Sequence, residues 1–346
     1  MGWERIRGHD ANAAKLRVAF ARGRLAHAYL FVGPDGIGKR LFAEEFTKAL
    51  LCEHPPAVLV ACDRCPSCVH VTSRTHPDVT MAAKPDDKLE LPIDVVRGFC
   101  LQLGLKPSRG SRKVAILEDA DSFNDESANC FLKTLEEPPP GSVLILLANS
   151  TEQQLPTILS RVQVLRFQPL TVEDLERVLT LHEVGDAAKI ARLARIGGGS
   201  VAVALSLADA DLGDFRTVLL NAMIQTRPDS AALAQNWLRF TEEAGKDGAA
   251  QRGRTSAVLR VLVAQLQAAL RLSFGSDVDD LDPEERGQLG LLAQNAGADG
   301  LLAVLDACVE AERLVDRRVQ LALILEQLSD ALCPARSAST RPRAVS

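Results

Sequence analysis

The residues best equipped for chemistry lie in Gly33 to Arg40, Gly-Pro-Asp-Gly-Ile-Gly-Lys-Arg, and in four cysteines that follow it. Gly33, Gly38 and Lys39 keep the spacing of a phosphate-binding loop, with Gly36 between them. In such a loop, backbone N–H groups and a helix N-terminus surround phosphate oxygens and the lysine adds a positive charge. The next position normally supplies a Ser or Thr hydroxyl to Mg²⁺, and here it is Arg40. The sequence therefore carries the phosphate cradle without the metal handle. Cys52, Cys62, Cys65 and Cys68 follow at Cys-x9-Cys-x2-Cys-x2-Cys. Four thiolates at these spacings can close tetrahedrally around Zn²⁺, and with no open position the site is structural. Redox-active or simply buried cysteines are the alternatives. His70 and His76 lie nearby but are not needed to complete the shell.

Further acids come at the end of an apolar run. Lys113 to Leu117 reads as a buried strand delivering Glu118, Asp119 and Asp121 at its C-terminal edge, where P-loop proteins place an acid near the metal and the attacking water. ATPases of this kind end the strand in Asp-Glu, whereas Glu118-Asp119 reverses the two side-chain lengths. A solvated turn would also carry such acids. A second buried run, Ser142 to Ala148, ends in Asn149.

The elements that position these residues alternate. Asp10 to Arg24 is an amphipathic helix, with Leu16, Ala19 and Phe20 on one face. Strands are expected at Ala28–Val32, Val79–Ala82, Lys113–Leu117, Ser142–Ala148 and Val162–Phe167. Helices are expected at Lys39–Leu51, Pro92–Leu103 and within Ser127–Pro140, where prolines stop the last one. Five strands separated by helices make an open parallel α/β sheet. His27, just before the first strand, reads as structural. From Thr171 the strand signal stops. A helical unit runs to Asp209, broken at Gly197-Gly198-Gly199, and helices follow near Phe215–Gln225, Ala231–Glu243, Thr255–Leu272, Leu301–Asp316 and Val319–Leu332. The stripe Val258, Leu259, Val261, Leu262, Leu266 and Leu270 reads as core. Cys100, Cys130, Cys308 and Cys333 sit in apolar helical patterns and also read as core.

Composition bounds the answer. The chain has 346 residues, 47% apolar and 25% charged, which calls for two or three domains of soluble type. A net charge of −5 argues against tight nucleic-acid binding through the overall field. No apolar run approaches the roughly 18 to 20 residues of a membrane span, and Met1 to Arg5 begins no signal peptide, so the cytoplasm is expected and no membrane partner.

Taken together, these residues resemble the delta-prime subunits of the bacterial DNA polymerase III clamp loader. The resemblance is carried by His27-Ala28-Tyr29-Leu30-Phe31 leading into Gly33 to Lys39, the four cysteines after the next helix, and His76-Pro77-Asp78. It is also carried by Leu132-Lys133-Thr134-Leu135-Glu136-Glu137-Pro138-Pro139 and Leu159-Ser160-Arg161. It covers about residues 8 to 168 in motifs and the rest in architecture only.

The resemblance implies a P-loop AAA+ module over residues 1–168 with its zinc insertion at 52–68, a helical lid domain over 169–210 and an all-helical collar over 211–333. The Ser-, Ala-, Pro- and Arg-rich stretch 334–346 reads as a disordered tail. It implies a ring of five with delta and gamma/tau subunits that places a sliding clamp on primed DNA, with Arg161 reaching the ATP site of the adjacent subunit. The usual Ser-Arg-Cys is here Ser160-Arg161-Val162. Candidate nucleotide-site residues are Gly33, Gly36, Gly38, Lys39, Arg40, Glu118, Asp119 and Asn149. The lid carries Gly199-Ser200-Val201-Ala202 in place of the Gly-Ser-x-Arg of the family's motor subunits. With Arg40 and the reversed acids, three catalytic parts are altered. ATP binding is expected to be weak or absent, and no residue set suits polymerase chemistry. Two other readings are a motor-type gamma/tau-like subunit that hydrolyses ATP itself, and a stand-alone zinc protein binding nucleic acid.

Overall fold

Short apolar runs bounded by polar residues become strands because their backbone groups can pair only with one another once both faces are covered. In the computed structural model the strands are β1 (Ala28–Val32), β2 (Val79–Ala82), β3 (Lys113–Leu117), β4 (Ser142–Ala148) and β5 (Gln163–Arg166). They form one parallel sheet in the order β2-β3-β4-β1-β5, the expected α/β arrangement. Residues 2–85, 88–225, 228–245, 247–275 and 283–333 are described; the expected tail lies outside them. The chain divides into two compact units, Met1–Val178 with Gly199–Ala202, and Leu179–Gly198 with Val203–Ser346.

In the first unit the helices are α1 (Asp10–Ala21), α2 (Lys39–Leu51), α3 (Pro66–Thr72), α4 (Ile93–Gly104), α5 (Asp125–Glu136), α6 (Pro156–Leu159) and α7 (Val172–Leu181), which runs on into the second. Period-two alternation sorts the strand residues. Tyr29, Phe31, Val114, Ile116, Ile145 and Leu147 pack with Phe42 and Phe46 of α2. Leu30, Ala115, Leu117, Leu144 and Leu146 face the other way onto Val96 and Phe99 of α4 and Phe131 of α5. Both β1 and β4 are buried throughout, which fixes where their C-terminal ends emerge.

Local chemistry moves some boundaries from their expected places. Pro92 is the N-cap of α4, with ψ 143, instead of its first helical residue. Two residues earlier than expected, α5 begins at Asp125, because Asn124 and Ser127 form a reciprocal capping pair. Between its neighbouring prolines the cysteine segment still forms α3, with Pro66 at the first position, where no N–H is needed. At the sheet edge β5 is shorter at both ends than Val162–Phe167.

The second unit is helical: α8 (Ala187–Ile196), the body of α9 (Val201–Ala208), α10 (Ala210–Ile224), α11 (Ser230–Glu242), α12 (Gly248–Ser273), α13 (Pro283–Asp316) and α14 (Leu321–Leu332). Its core gathers Trp237, Phe215, Phe240 and the α12 stripe Val258, Leu259, Leu262 and Leu266. Expected only from Leu301, α13 starts eighteen residues earlier and kinks at Gly297, where φ is 67. Few apolar residues mark that first half: Leu289, Leu292 and Ala293 are the buried ones. Buried Glu285 accepts from Arg216 Nη1 at 3.0 Å and Arg192 Nη2 at 3.2 Å, tying α13 to α10 and α8.

Removing one partner of a buried pair strands the other. Glu285→Ala leaves the Arg216 guanidinium buried without its carboxylate. The expected loss is about 3 kcal/mol of unfolding free energy, read from urea melts. A loss below about 0.5 kcal/mol would contradict this account of the pair.

Candidate nucleotide site and cysteine cluster

Because β3, β4 and β1 are neighbours, their C-terminal ends bring Glu118–Asp121, Asn149 and the Gly33–Lys39 loop to one edge of the sheet. This is where open parallel sheets bind ligands. Gly36 and Gly38 take φ of 74 and 97, the left-handed conformation that glycine tolerates. Lys39 is buried, and its ammonium donates to Asn149 Oδ1 and Pro34 O at 2.9 Å and also to Gly33 O. Burial pushes its pKa down, opposed by Asp35, Asp121 and Asp119. The lysine is folded back on its own loop, its three donors engaged.

Arg40 does more than remove a hydroxyl. Its Nη1 lies 3.2 Å from Glu118 Oε2 and its Nε 3.6 Å from Glu44 Oε1, which also meets Arg74 at 2.8 Å. Burial pushes the Glu118 carboxyl up and Arg40 opposes it. A side-chain cation therefore occupies one carboxylate of this edge. Asp119, in a left-handed turn at φ 53, is pushed up by burial against the charge and backbone N–H of Lys84. Asp121 accepts from the Asn149 backbone N–H and from Gln154 Nε2, fixing the end of β4.

The segment Gly199–Ala202 lies on the loop. Ser200 Oγ donates to Asp35 O at 3.0 Å and Val201 N to Gly36 O at 2.9 Å. A Cβ on Gly36 would collide with Ser200 Oγ and Ala202 Cβ, so this approach requires glycine. Ala202 supplies contact and no charge.

Arg161 belongs elsewhere. It follows α6, and its guanidinium reaches Thr157 O at 3.0 Å, Ser160 Oγ at 2.9 Å and Glu136 Oε1 at 2.8 Å. None of the sheet-edge residues is among these partners. His27 accordingly has a tethering contact, with its Nε2 3.1 Å from Leu135 O at the end of α5.

Cys52 caps the end of α2, Cys65 precedes α3, and Cys68 lies within it. Their sulfurs and that of Cys62 lie within 4.8 Å of one another, with Cys62 and Cys68 Sγ 4.0 Å apart. A Zn–S length of about 2.3 Å puts tetrahedral sulfurs about 3.8 Å apart, close to this arrangement. Cys62 N donates to Cys52 Sγ and Cys65 N to Cys62 Sγ, both at 3.3 Å. Backbone N–H groups, that of Arg64 foremost, draw the Cys62 thiol down to about 6, while burial pushes Cys52 and Cys68 up. A closed set of four sulfur donors, with Cys52 half-buried and Cys65 and Cys68 buried, fits a tetrahedral divalent cation, and these four residues would hold it. His76 stays outside: its Nδ1 accepts from Asp78 N and its Nε2 donates to Ser67 Oγ, which reaches Glu53. Lys48, held by Glu45 and Asp63, fastens the Cys62–Cys65 turn to α2.

Residues 8–171 match the family model described as DNA polymerase III, delta subunit. Over 223 residues the chain is 34% identical to the DNA polymerase III subunit delta′ of Pseudomonas aeruginosa, covering 62% of this chain and 67% of that one. The chain belongs to this delta-prime family. It is 29% identical to the Escherichia coli delta′ subunit over 87% of this chain and 86% of that one. It is also 30% identical to the Bacillus subtilis tau subunit, covering 64% of this chain and 38% of that one. Among solved structures, a gamma subunit-related protein of Thermotoga maritima superposes with a TM-score of 0.43 at 16% identity, covering 92% of this chain and 97% of that one. Among the described residues no helix is long and apolar enough to cross a membrane.

The sequence grouped Lys39, Asn149, Glu118 and Asp119 as candidates for one site, and the structure adds the Lys39–Asn149 contact. It gave no partner to Asp121, Gln154 or Glu136, because the groups they meet are 25 or more residues away and leave no local signal. Purified chain is expected to carry about one zinc per molecule, and Cys65→Ser to lose both the metal and several degrees of melting temperature. Metal analysis beside a thermal melt measures both, and equal metal content in the two proteins would remove the assignment.

Proposed function

We propose that this chain is the stator of a DNA polymerase III clamp loader: a subunit that does not hydrolyse ATP but lends Arg161 to the ATP site of its neighbour. The single observation that carries the reading is the Arg40 guanidinium 3.2 Å from Glu118, an internal cation at the acid a metal would need. A phosphate loop works by holding Mg²⁺ and the γ-phosphate together. With Arg40 on Glu118, Lys39 folded onto loop carbonyls and Ala202 lying on Gly36, the arrangement does not fit Mg·ATP. The loop amides alone could still give weak nucleotide contact.

Arg161 supports the other half of the reading. It stands 35% exposed at the end of α6, outside the chain's own sheet edge. There a guanidinium can neutralise charge on a phosphate held by another subunit, which is worth on the order of 10³ to 10⁵ in rate for such arginines. In this reading residues 1–168 form the AAA+ module, 169–210 the lid and 211–333 the collar. The collar joins delta and gamma/tau partners in a ring of five that loads the sliding clamp on primed DNA. The zinc module is structural.

The motor reading draws on the intact Lys39 and on the 30% identity to tau. Coverage weighs against it, since the chain spans 38% of that tau subunit but 86% of the Escherichia coli delta′. ATP turnover by the purified chain, with and without primed DNA, decides between them. No turnover above the Lys39→Ala control is expected, and turnover that Lys39→Ala abolishes would replace this reading with the motor.

A further inference from the structure

We propose that Glu136 is the positioning residue for Arg161, an inference that rests on the arginine-donor reading above. The guanidinium has five N–H donors, and its contacts to Thr157 O, Ser160 Oγ and Glu136 use three. Two donors remain for an oxygen outside this chain. Ser160 Oγ in turn donates to Thr157 O at 2.9 Å, so the groups holding Nη1 are themselves held. Glu136 Oε1 fixes Nη2 from a separate element, which sets the plane of the guanidinium as well as its position.

The two elements that carry the contacts do not drift apart. Glu136 is the last residue of α5, where Pro138-Pro139-Pro140 ends the helix. Leu135 of α5 and Ile158 of α6 are buried in one core cluster on the same face of the sheet. Arg161 and Glu136 are 35% and 52% exposed, so the pair adds little to fold stability in water. What it does supply is orientation. An unrestrained arginine samples many rotamers and must be ordered when the neighbour's phosphate arrives, whereas a held one meets it with its free donors already aimed.

A carboxylate beside the arginine also lowers the positive charge felt by a phosphate. If that competition dominated, removing Glu136 would raise turnover. The geometry points the other way, because the three contacts leave two N–H groups unengaged on a guanidinium that is still 35% exposed.

The test is ATP turnover of the reconstituted clamp loader with clamp and primed DNA, comparing chains with Glu136→Ala, Glu136→Gln, Arg161→Ala and the double change. Glu136→Ala is expected to lower kcat about tenfold with KM for ATP unchanged, and Glu136→Gln, which keeps an acceptor, by less. In the Arg161→Ala background Glu136→Ala should cost nothing more, and the melting temperature of the chain should not move. Unchanged or raised kcat overturns the proposal, as does an equal loss in the Arg161→Ala background, which would mark a merely structural role. Arg161→Ala without effect removes the arginine-donor reading itself, and this proposal with it.

Discussion

The ion pair between Arg40 and Glu118 governs how the rest of this molecule can be used. Arg40 stands where a phosphate-binding loop normally carries the Ser or Thr that meets Mg²⁺, and its guanidinium lies 3.2 Å from Glu118 Oε2. Two further features of the same edge agree with it. Lys39 is engaged with Pro34 O and Asn149, and Ser200 to Ala202 lie on the loop through Asp35 O and Gly36 O. Each of these contacts is made within the chain.

The same sheet reaches a second set of residues. The sheet that carries the loop also carries β5, and Arg161 lies between α6 and β5, on the far side of β1 from the acids of β3. The cysteine cluster follows α2 directly and is fastened to it by Lys48 with Glu45 and Asp63, while His76 ties the start of β2 to the same module through Ser67 and Asp78 accepts from the backbone N–H groups of Ser108 and Arg109. In the reading proposed above, the contacts of Arg161 with Thr157, Ser160 and Glu136 would hold it in place for a neighbouring subunit.

Much of this was legible in the sequence because the signals are local. The runs Ala28–Val32, Lys113–Leu117 and Ser142–Ala148 are apolar apart from their first residues Lys113 and Ser142, and each forms a strand with those limits. The loop spacing put Lys39 at the first turn of α2, and the four cysteines at short spacing found one another. The first half of α13 was not legible, since few of its residues are buried, nor was α3, whose proline sits where a helix can begin. At the site the missing pieces were pairings. That Arg40 lacks a hydroxyl is visible in the chain, but that it meets Glu118, 78 residues later, depends on α2 and β3 being packed side by side. The partnership of Glu136 with Arg161 is hidden for the same reason.

The most direct test of the central claim is a comparison of which residue of this chain controls ATP turnover in the assembled clamp loader. Lys39→Ala and Arg161→Ala chains would each be built into the complex and assayed with clamp and primed DNA. The account predicts that Lys39→Ala leaves turnover unchanged and that Arg161→Ala abolishes turnover at the adjacent site. Loss with Lys39→Ala and none with Arg161→Ala would contradict it, because the chain would then be working through its own phosphate loop.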